Sequence, residues 1–506
     1  MIEQLALLPE YLTAHVQLTL LALLFSAAIS LPLGIAVTRV EWLEQPAMAV
    51  AGIIQTIPSL ALLAVMVPVL AALGFQAIGF LPAIIGLTLY GVLPILRNTV
   101  TGIAGVDPAY TEAARGVGMT PRQQLVRVEL PLAMPVIVAG LRTATVWIVG
   151  IATLSTPVGA TSLGNYIFAG LQTRNTDAIL VGCVAAAALA LVLDGLVRAV
   201  EVGIRNRRGA ILGGALMTVA ALYVYAGLTL VAPILNRTER PIVVGSKAFT
   251  EQYVLSAMLA QVVEDQTGRP TSLRQSLGSM VAFDALTAGD IDLYVDYSGT
   301  IWANAMGRGS ELASREDVLR EMTEYLQDEY GVGVVATLGF ENAYALAMRD
   351  AEASALGISR ISDLTPHAPS FALGADYEFP ARPEWPALRD SYGLAFADIR
   401  TMDPALMYQA AAEGAVDVIS AFSTDGRLIA LDLRVLEDDR HAIPPYDAVV
   451  LASPRLAADA PDVLAAVGLL DGAIDADTIR RMNLAVDADG QSPATVAESF
   501  LSTLQR

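Results

Sequence analysis

Six apolar runs fill the first half of this chain, at roughly residues 14–38, 47–73, 79–96, 132–154, 177–199 and 210–233. Each is close to the ~20 residues a helix needs to cross a bilayer's hydrocarbon core. Backbone polar groups find no water there, so such runs are confined to helices that satisfy their own hydrogen bonds. The third run carries Pro82 and Pro94, which makes its ends the hardest to place.

Charge divides the chain at the same point. Up to Arg237 there are 12 basic and 10 acidic residues, and from Thr238 onward 19 and 41. A near-neutral membrane half therefore joins an acidic soluble half. An acidic surface repels phosphate, which argues against nucleic acid as a partner. Cys183 is the only cysteine, and His15, His367 and His441 are widely separated. No internal disulfide can form, and no metal site is expected.

Arginine placement sets the topology. Arg39 follows the first run, Arg97, Arg115, Arg122 and Arg127 separate the third from the fourth, and Arg198, Arg205, Arg207 and Arg208 separate the fifth from the sixth. Basic connections face the cytoplasm. The links at 74–78 and 155–176, with Arg174 their one basic residue, then face outward. This parity puts both termini, and the acidic half, outside. The sixth run, preceded by three arginines, also reads as a signal sequence. It lacks a clear small-residue cleavage site before Asn236 and is read as an uncleaved anchor.

Between the third and fourth runs lies the polar stretch TEAARGVGMTPRQQLVRVELP, residues 111–131. Asp107-Pro108 is a helix cap followed by a first-turn proline, and Gly116 and Gly118 end that helix. Thr120-Pro121 starts a second, with Gln123 completing a capping box. Leu130-Pro131 is expected to stop it. Ala113, Ala114 and Gly118 are small enough for close approach to a partner, and Glu112 in the first turn suits the helix dipole. The chain has no glycine-rich phosphate loop ending in Gly-Lys-Ser/Thr, so ATP and Mg are expected on another chain.

The spacing Glu112-Ala113-Ala114, three residues, Gly118, nine residues, Val128-Glu129-Leu130-Pro131 resembles the EAA loop of ABC importer permeases. Within that family, IIQTIPSLALLAVMVPVL and PILRNTVTGIAGVDP resemble the osmoprotectant branch. The resemblance implies a type I importer-like, all-α permease of about six helices. It implies that Glu112, Ala113, Ala114 and Gly118 seat in a cleft of a separate cytoplasmic ATPase. It implies a homodimer of this chain, multi-pass in a bacterial plasma (inner) membrane. Inside the runs, Gln55 either lines a path or bonds a neighbouring helix. Arg142 is either pore-facing or a buried paired charge, and Asp194 snorkels or pairs locally.

From Pro241, short β-like runs alternate with amphipathic helices, the signature of α/β layers. A strand-to-helix turn at GSKAFTEQ (245–252) presents backbone N–H groups that suit a carboxylate. That stretch, with LTAGDIDLYVDYSGT (286–300), LGFENAYALAMR (338–349), ADYEF (375–379), DVISAFSTDGRL (417–428) and PPYDAVVL (444–451), resembles the binding proteins for glycine betaine, choline and carnitine. The implied fold is an α/β, two-lobed clamshell of the periplasmic-binding-protein type (type II). Lobe 1 would hold 241–337 and 452–506 and lobe 2 348–443, with crossings near 338–347 and 444–451. The domains are then 1–209 (permease, EAA loop at 98–131), 210–237 (sixth helix and linker) and 238–506 (receptor, on the periplasmic or extracellular side).

A quaternary ammonium has no N–H to donate, so aromatic faces must hold it, at about 0.5–2 kcal/mol each. The motifs supply Tyr297, Tyr344, Tyr377, Phe422 and Tyr446, and the resemblance points first to Tyr297 and Tyr344. Ser246, Gln252, Thr300 and Asn342 are expected to hydrogen-bond the ligand's polar end. Glu378 adds negative charge near the cation. Arg382 either meets a ligand carboxylate or only pairs with Glu378, and Asp425 reads as a turn residue. Family members fused like this one include importers of ergothioneine, which also carries a trimethylammonium and a carboxylate. An ion-coupled transporter and a ligand-gated receptor are the remoter readings. Neither accounts for the EAA loop, and no enzymatic constellation stands out.

Overall fold

The computed structural model describes residues 2–173, 175–235, 240–308, 313–382 and 384–504. Arg174 and the junction at 236–239 lie outside the described residues. The chain divides into an N-terminal helical unit and a C-terminal α/β unit.

Among the described residues, five helices are long and apolar enough to span a membrane: Leu7–Val37, Phe80–Ala104, Pro121–Val158, Thr176–Arg205 and Gly209–Val231. A further apolar stretch is bent into two helices. Trp42–Thr56 and Ser59–Ala72 meet at 100°. The break falls at Ile57-Pro58, where the proline ring drives the preceding residue out of the helical region, and Ile57 has ψ 128°. A neighbouring helix satisfies the exposed backbone, as membrane interiors require. The Tyr90 hydroxyl donates to the Ile57 carbonyl, and Gln55 Nε2 donates to Tyr90 O at 3.2 Å. Gln55 thus takes its interhelical alternative.

Leu130-Pro131 does not stop a helix. The second loop helix, Pro121–Gln124, runs through a wide π turn at Leu125–Glu129 into Leu130–Ala152. The proline lacks only the bond its own N–H would have made, and the wider turn before it makes room for its ring.

Small residues bring these helices together, as expected where lipid offers no hydrophobic drive. A Cβ on Gly91 would lie 2.3 Å from Ser26 Oγ, which itself donates to the Thr88 carbonyl at 2.8 Å. Arg142 is a paired charge. Its Nε and Nη2 meet both Asp194 oxygens at 2.9 and 3.0 Å, and Nη1 reaches Glu201 at 3.2 Å. Asp194 therefore pairs across helices. Arg142→Ala takes the bidentate partner from Asp194 and leaves Glu201 with Arg205 alone, and the expected loss is about 1–3 kcal/mol, between exposed and buried pairs. A melting curve of the purified chain in detergent checks it.

The C-terminal unit holds two five-stranded sheets. Its strands are β1 (Ile242–Lys247), β2 (Thr271–Leu277), β3 (Leu293–Tyr297), β4 (Gly333–Glu341), β5 (Tyr344–Arg349), β6 (Ala372–Ala375), β7 (Asp398–Thr401), β8 (Val418–Phe422), β9 (Leu433–Val435) and β10 (Asp447–Ala452). The first sheet has order β2-β1-β3-β10-β4 and the second β7-β6-β8-β5-β9. Each centres a lobe. The chain passes to the second between β4 and β5 and returns between β9 and β10, where β10 runs antiparallel to β3 and β4. Helix Thr250–Thr267 packs its buried face on the first sheet, with Val254, Met258 and Val263 fully inside.

Candidate ligand cavity and coupling loop

One cavity opens between the lobes of the C-terminal unit. The first lobe contributes Lys247, Phe249, Tyr297 and Thr300, the second Tyr344, Asp376, Tyr377, Glu378, Arg382 and Phe422, and the crossings Asn342 and Tyr446. β3 ends at Tyr297 and β5 begins at Tyr344, so both tyrosines stand where a strand delivers its last or first side chain to the cleft.

The rings form a ladder. Tyr297 and Phe249 stack at 6.2 Å between centroids, Phe249 and Phe422 at 5.8 Å with planes 9° apart, and Phe422 meets Tyr344 at 4.9 Å. Nothing local in the sequence marks Phe249 as a cavity residue. An aromatic just before a helix reads as a local staple, and only the folded chain sets it between Tyr297 and Phe422. Tyr377 is 66% exposed and sits at the rim, beside Glu378.

Three cations, Lys247, Arg382 and Arg427, line the same space. Lys247 Nζ pairs with Asp296 and lies 5.5 Å from the Tyr297 ring centre. Arg382 lies 5.0 Å over Tyr344 and binds Glu384 through two hydrogen bonds, 3.1 and 2.7 Å. Glu378 is more distant, 3.7 Å from Arg382. Burial works against the Arg382 charge, but the Glu384 bonds outweigh it and its pKa rises. Burial pushes the Asp376 carboxyl up, against hydrogen bonds from the backbone of Phe379 and Glu378. Asp425 pairs with Arg427 and accepts from its backbone N–H at 2.9 Å.

Two expected ligand contacts lie behind the wall instead. Ser246 is fully buried in β1 and absent from the lining. Gln252 supports the wall: its Nε2 donates to Val295 O and Tyr297 Oη at 3.0 and 3.1 Å, and its Oε1 accepts from Lys247 N at 3.2 Å. Part of the turn's N–H capacity is thereby used inside the protein.

Gly299 lies behind the cavity, against the lining residue Tyr446. A Cβ there would lie 2.6 Å from the Tyr446 ring and 2.7 Å from Pro445 O. Gly299→Ala is expected to displace Tyr446 at about 1–3 kcal/mol of stability, as overpacking does. Weaker ligand binding together with a lower melting temperature would register both effects.

In the helical unit, the EAA loop is a capped, cross-tied element. Asp107 Oδ1 accepts from Ala109 N at 2.9 Å, and Thr120 and Gln123 form the reciprocal capping box. Glu112 and Ala113 are exposed, Ala114 is buried, and Gly118 sits at φ +80°. Arg115 donates to Gln124 at 3.3 Å, Gln124 to Glu129 at 2.6 Å, and Arg39 pairs with Glu129. This relay ties the loop helix to the end of the first span.

Residues 240–503 match the substrate binding domain of ABC-type glycine betaine transport systems. Residues 29–206 match the inner membrane component of binding-protein-dependent transport systems. The ergothioneine transport permease/ergothioneine binding protein EgtU of Helicobacter pylori (strain G27) is 31% identical over 476 residues, which cover 90% of this chain and 83% of that protein. The chain belongs to the fused permease–receptor importers of the osmoprotectant and ergothioneine ABC family. The choline transport system permease protein OpuBB of Bacillus subtilis (strain 168) is 44% identical over 180 residues, 36% of this importer and 80% of that protein. A crystal structure of a glycine betaine/carnitine/choline ABC transporter covers 52% of the importer and 98% of its own chain, at 29% identity and a TM-score of 0.47.

Proposed function

We propose that this importer's receptor captures a zwitterionic quaternary amine outside the cell and releases it to a homodimer of the membrane unit. A separate cytoplasmic ATPase drives the cycle through the Glu112 helix. The observation that carries the cargo assignment is the pairing, in one cavity, of the Tyr297–Phe249–Phe422–Tyr344 ladder with Lys247 and Arg382. Ring faces attract a cation that cannot donate hydrogen bonds, and the two cations offer N–H groups to a carboxylate. Glycine betaine and carnitine carry both features, and choline lacks the carboxylate. Ergothioneine is the second reading, favoured by the likeness to the Helicobacter protein along 90% of the chain. Tyr297, Thr300, Asn342, Tyr344, Tyr377, Phe422 and Tyr446 stand nearest the ligand in this account, with Glu378 at the entrance.

Vesicles holding this chain and its ATPase are expected to accumulate labelled betaine only with ATP. Uptake that continues without nucleotide would point instead to ion coupling.

A further inference from the structure

Glu251 lies at the seam between the two receptor lobes and is only 2% exposed. Its Oε1 accepts from Tyr297 Oη at 2.6 Å and from Asn342 Nδ2 at 3.0 Å. Its Oε2 accepts from Asn483 Nδ2 at 3.1 Å and from the Thr424 hydroxyl. All four donors are neutral. Tyr297 and Asn483 belong to the first lobe, Asn342 to a crossing, and Thr424 to the second lobe just past β8. Asn483 also donates to Thr424 O at 2.9 Å. Beside them the two backbones touch: a Cβ on Gly426 would lie 2.5 Å from Leu484 N and 2.8 Å from its Cα.

We propose that this seam is the closing latch of the receptor, with Glu251 as a positioning residue that links lobe closure to the Tyr297 ring. The proposal rests on the reading that the cavity closes on its ligand. A buried carboxylate is costly unless its lone pairs are filled, so withdrawing the Thr424 hydroxyl penalises the open state. Among the described residues no cation pairs with Glu251 itself, so its contribution to closure is modest and ligand can reset it. Apparent affinity then scales with the closed fraction. Gly426 is required by space alone, because its φ of −62° suits any residue.

The test uses the full chain in nanodiscs, with Cys183→Ser and spin labels on Asp328→Cys and Asp390→Cys, one exposed site on each lobe. Thr424→Val should lengthen the ligand-free interlobe distance and speed release of bound betaine at least tenfold, the scale of one charge-assisted hydrogen bond. Thr424→Ser should restore both. Gly426→Ala, acting as a wedge, should lengthen the distance with and without ligand. Distances unchanged in Thr424→Val and Gly426→Ala would overturn the latch. A wild-type chain that binds no quaternary amine would overturn the cargo reading, and the ligand-free distances would still decide the latch.

Discussion

Gly118→Val is expected to abolish ATP-driven uptake while leaving ligand binding at its wild-type level. Gly118 holds φ +80° between the two loop helices. A β-branched residue there is a steric outlier, costing on the order of 1–3 kcal/mol if forced in place. The chain would more readily give up the turn, and the Glu112 helix would then lose its angle to the Thr120 helix. Glu112→Arg is the gentler companion. It leaves the backbone alone but reverses the charge at an exposed position. Because the helix starts at Pro108, Glu112 lies past the first turn, and the expected penalty comes from the proposed ATPase cleft rather than from the helix dipole. Uptake and binding, measured on the same vesicles, separate the two effects. A Gly118→Val chain that transports normally would remove the loop from the coupling mechanism.

Tyr297→Ala is expected to weaken betaine binding about 100-fold. The ring supplies one aromatic face, worth about 0.5–2 kcal/mol to a desolvated cation. Its hydroxyl also donates to Glu251 and accepts from Gln252 inside the protein. Truncation therefore leaves a buried carboxylate short of a donor, which costs about 1–3 kcal/mol more. Tyr297→Phe keeps the face and loses only the hydroxyl, so its affinity should fall between wild type and alanine. Titration of both variants checks the order, and equal losses would assign the whole effect to the hydroxyl and its bonds to Glu251 and Gln252.

Sequence patterns carry the periodic features well. The apolar runs mark the spans because a bilayer imposes one length, and the caps at Asp107 and Thr120 are legible because capping is local. The break at Ile57-Pro58 was hidden inside a run apolar enough to read as one span. Leu130-Pro131 looked like a stop because a proline's effect depends on the turn before it, and the π turn at 125–129 is a tertiary outcome. In the cavity, motif residues showed which side chains approach the cleft but not which layer each occupies. Ser246 and Gln252 alternate with wall residues and ended behind them. Glu251 and Phe249 were silent for the same reason: their partners lie 46 or more and 48 or more residues away in sequence, at Tyr297, Asn342, Thr424 and Asn483 for one and at Tyr297 and Phe422 for the other. Arg382 pairs with Glu378 as the sequence suggests, but its shorter bonds go to Glu384, whose carboxylate is fully buried beside it.

In the proposed function this fused permease–receptor takes a zwitterionic quaternary amine in an aromatic cavity. Calorimetric titration of the full chain with glycine betaine, carnitine, ergothioneine and choline tests it most directly. The account predicts saturable binding of at least one of the three zwitterions, tighter than choline, and its loss in Tyr297→Ala. Heats no larger than dilution for all four, or equal binding by the alanine variant, would contradict it.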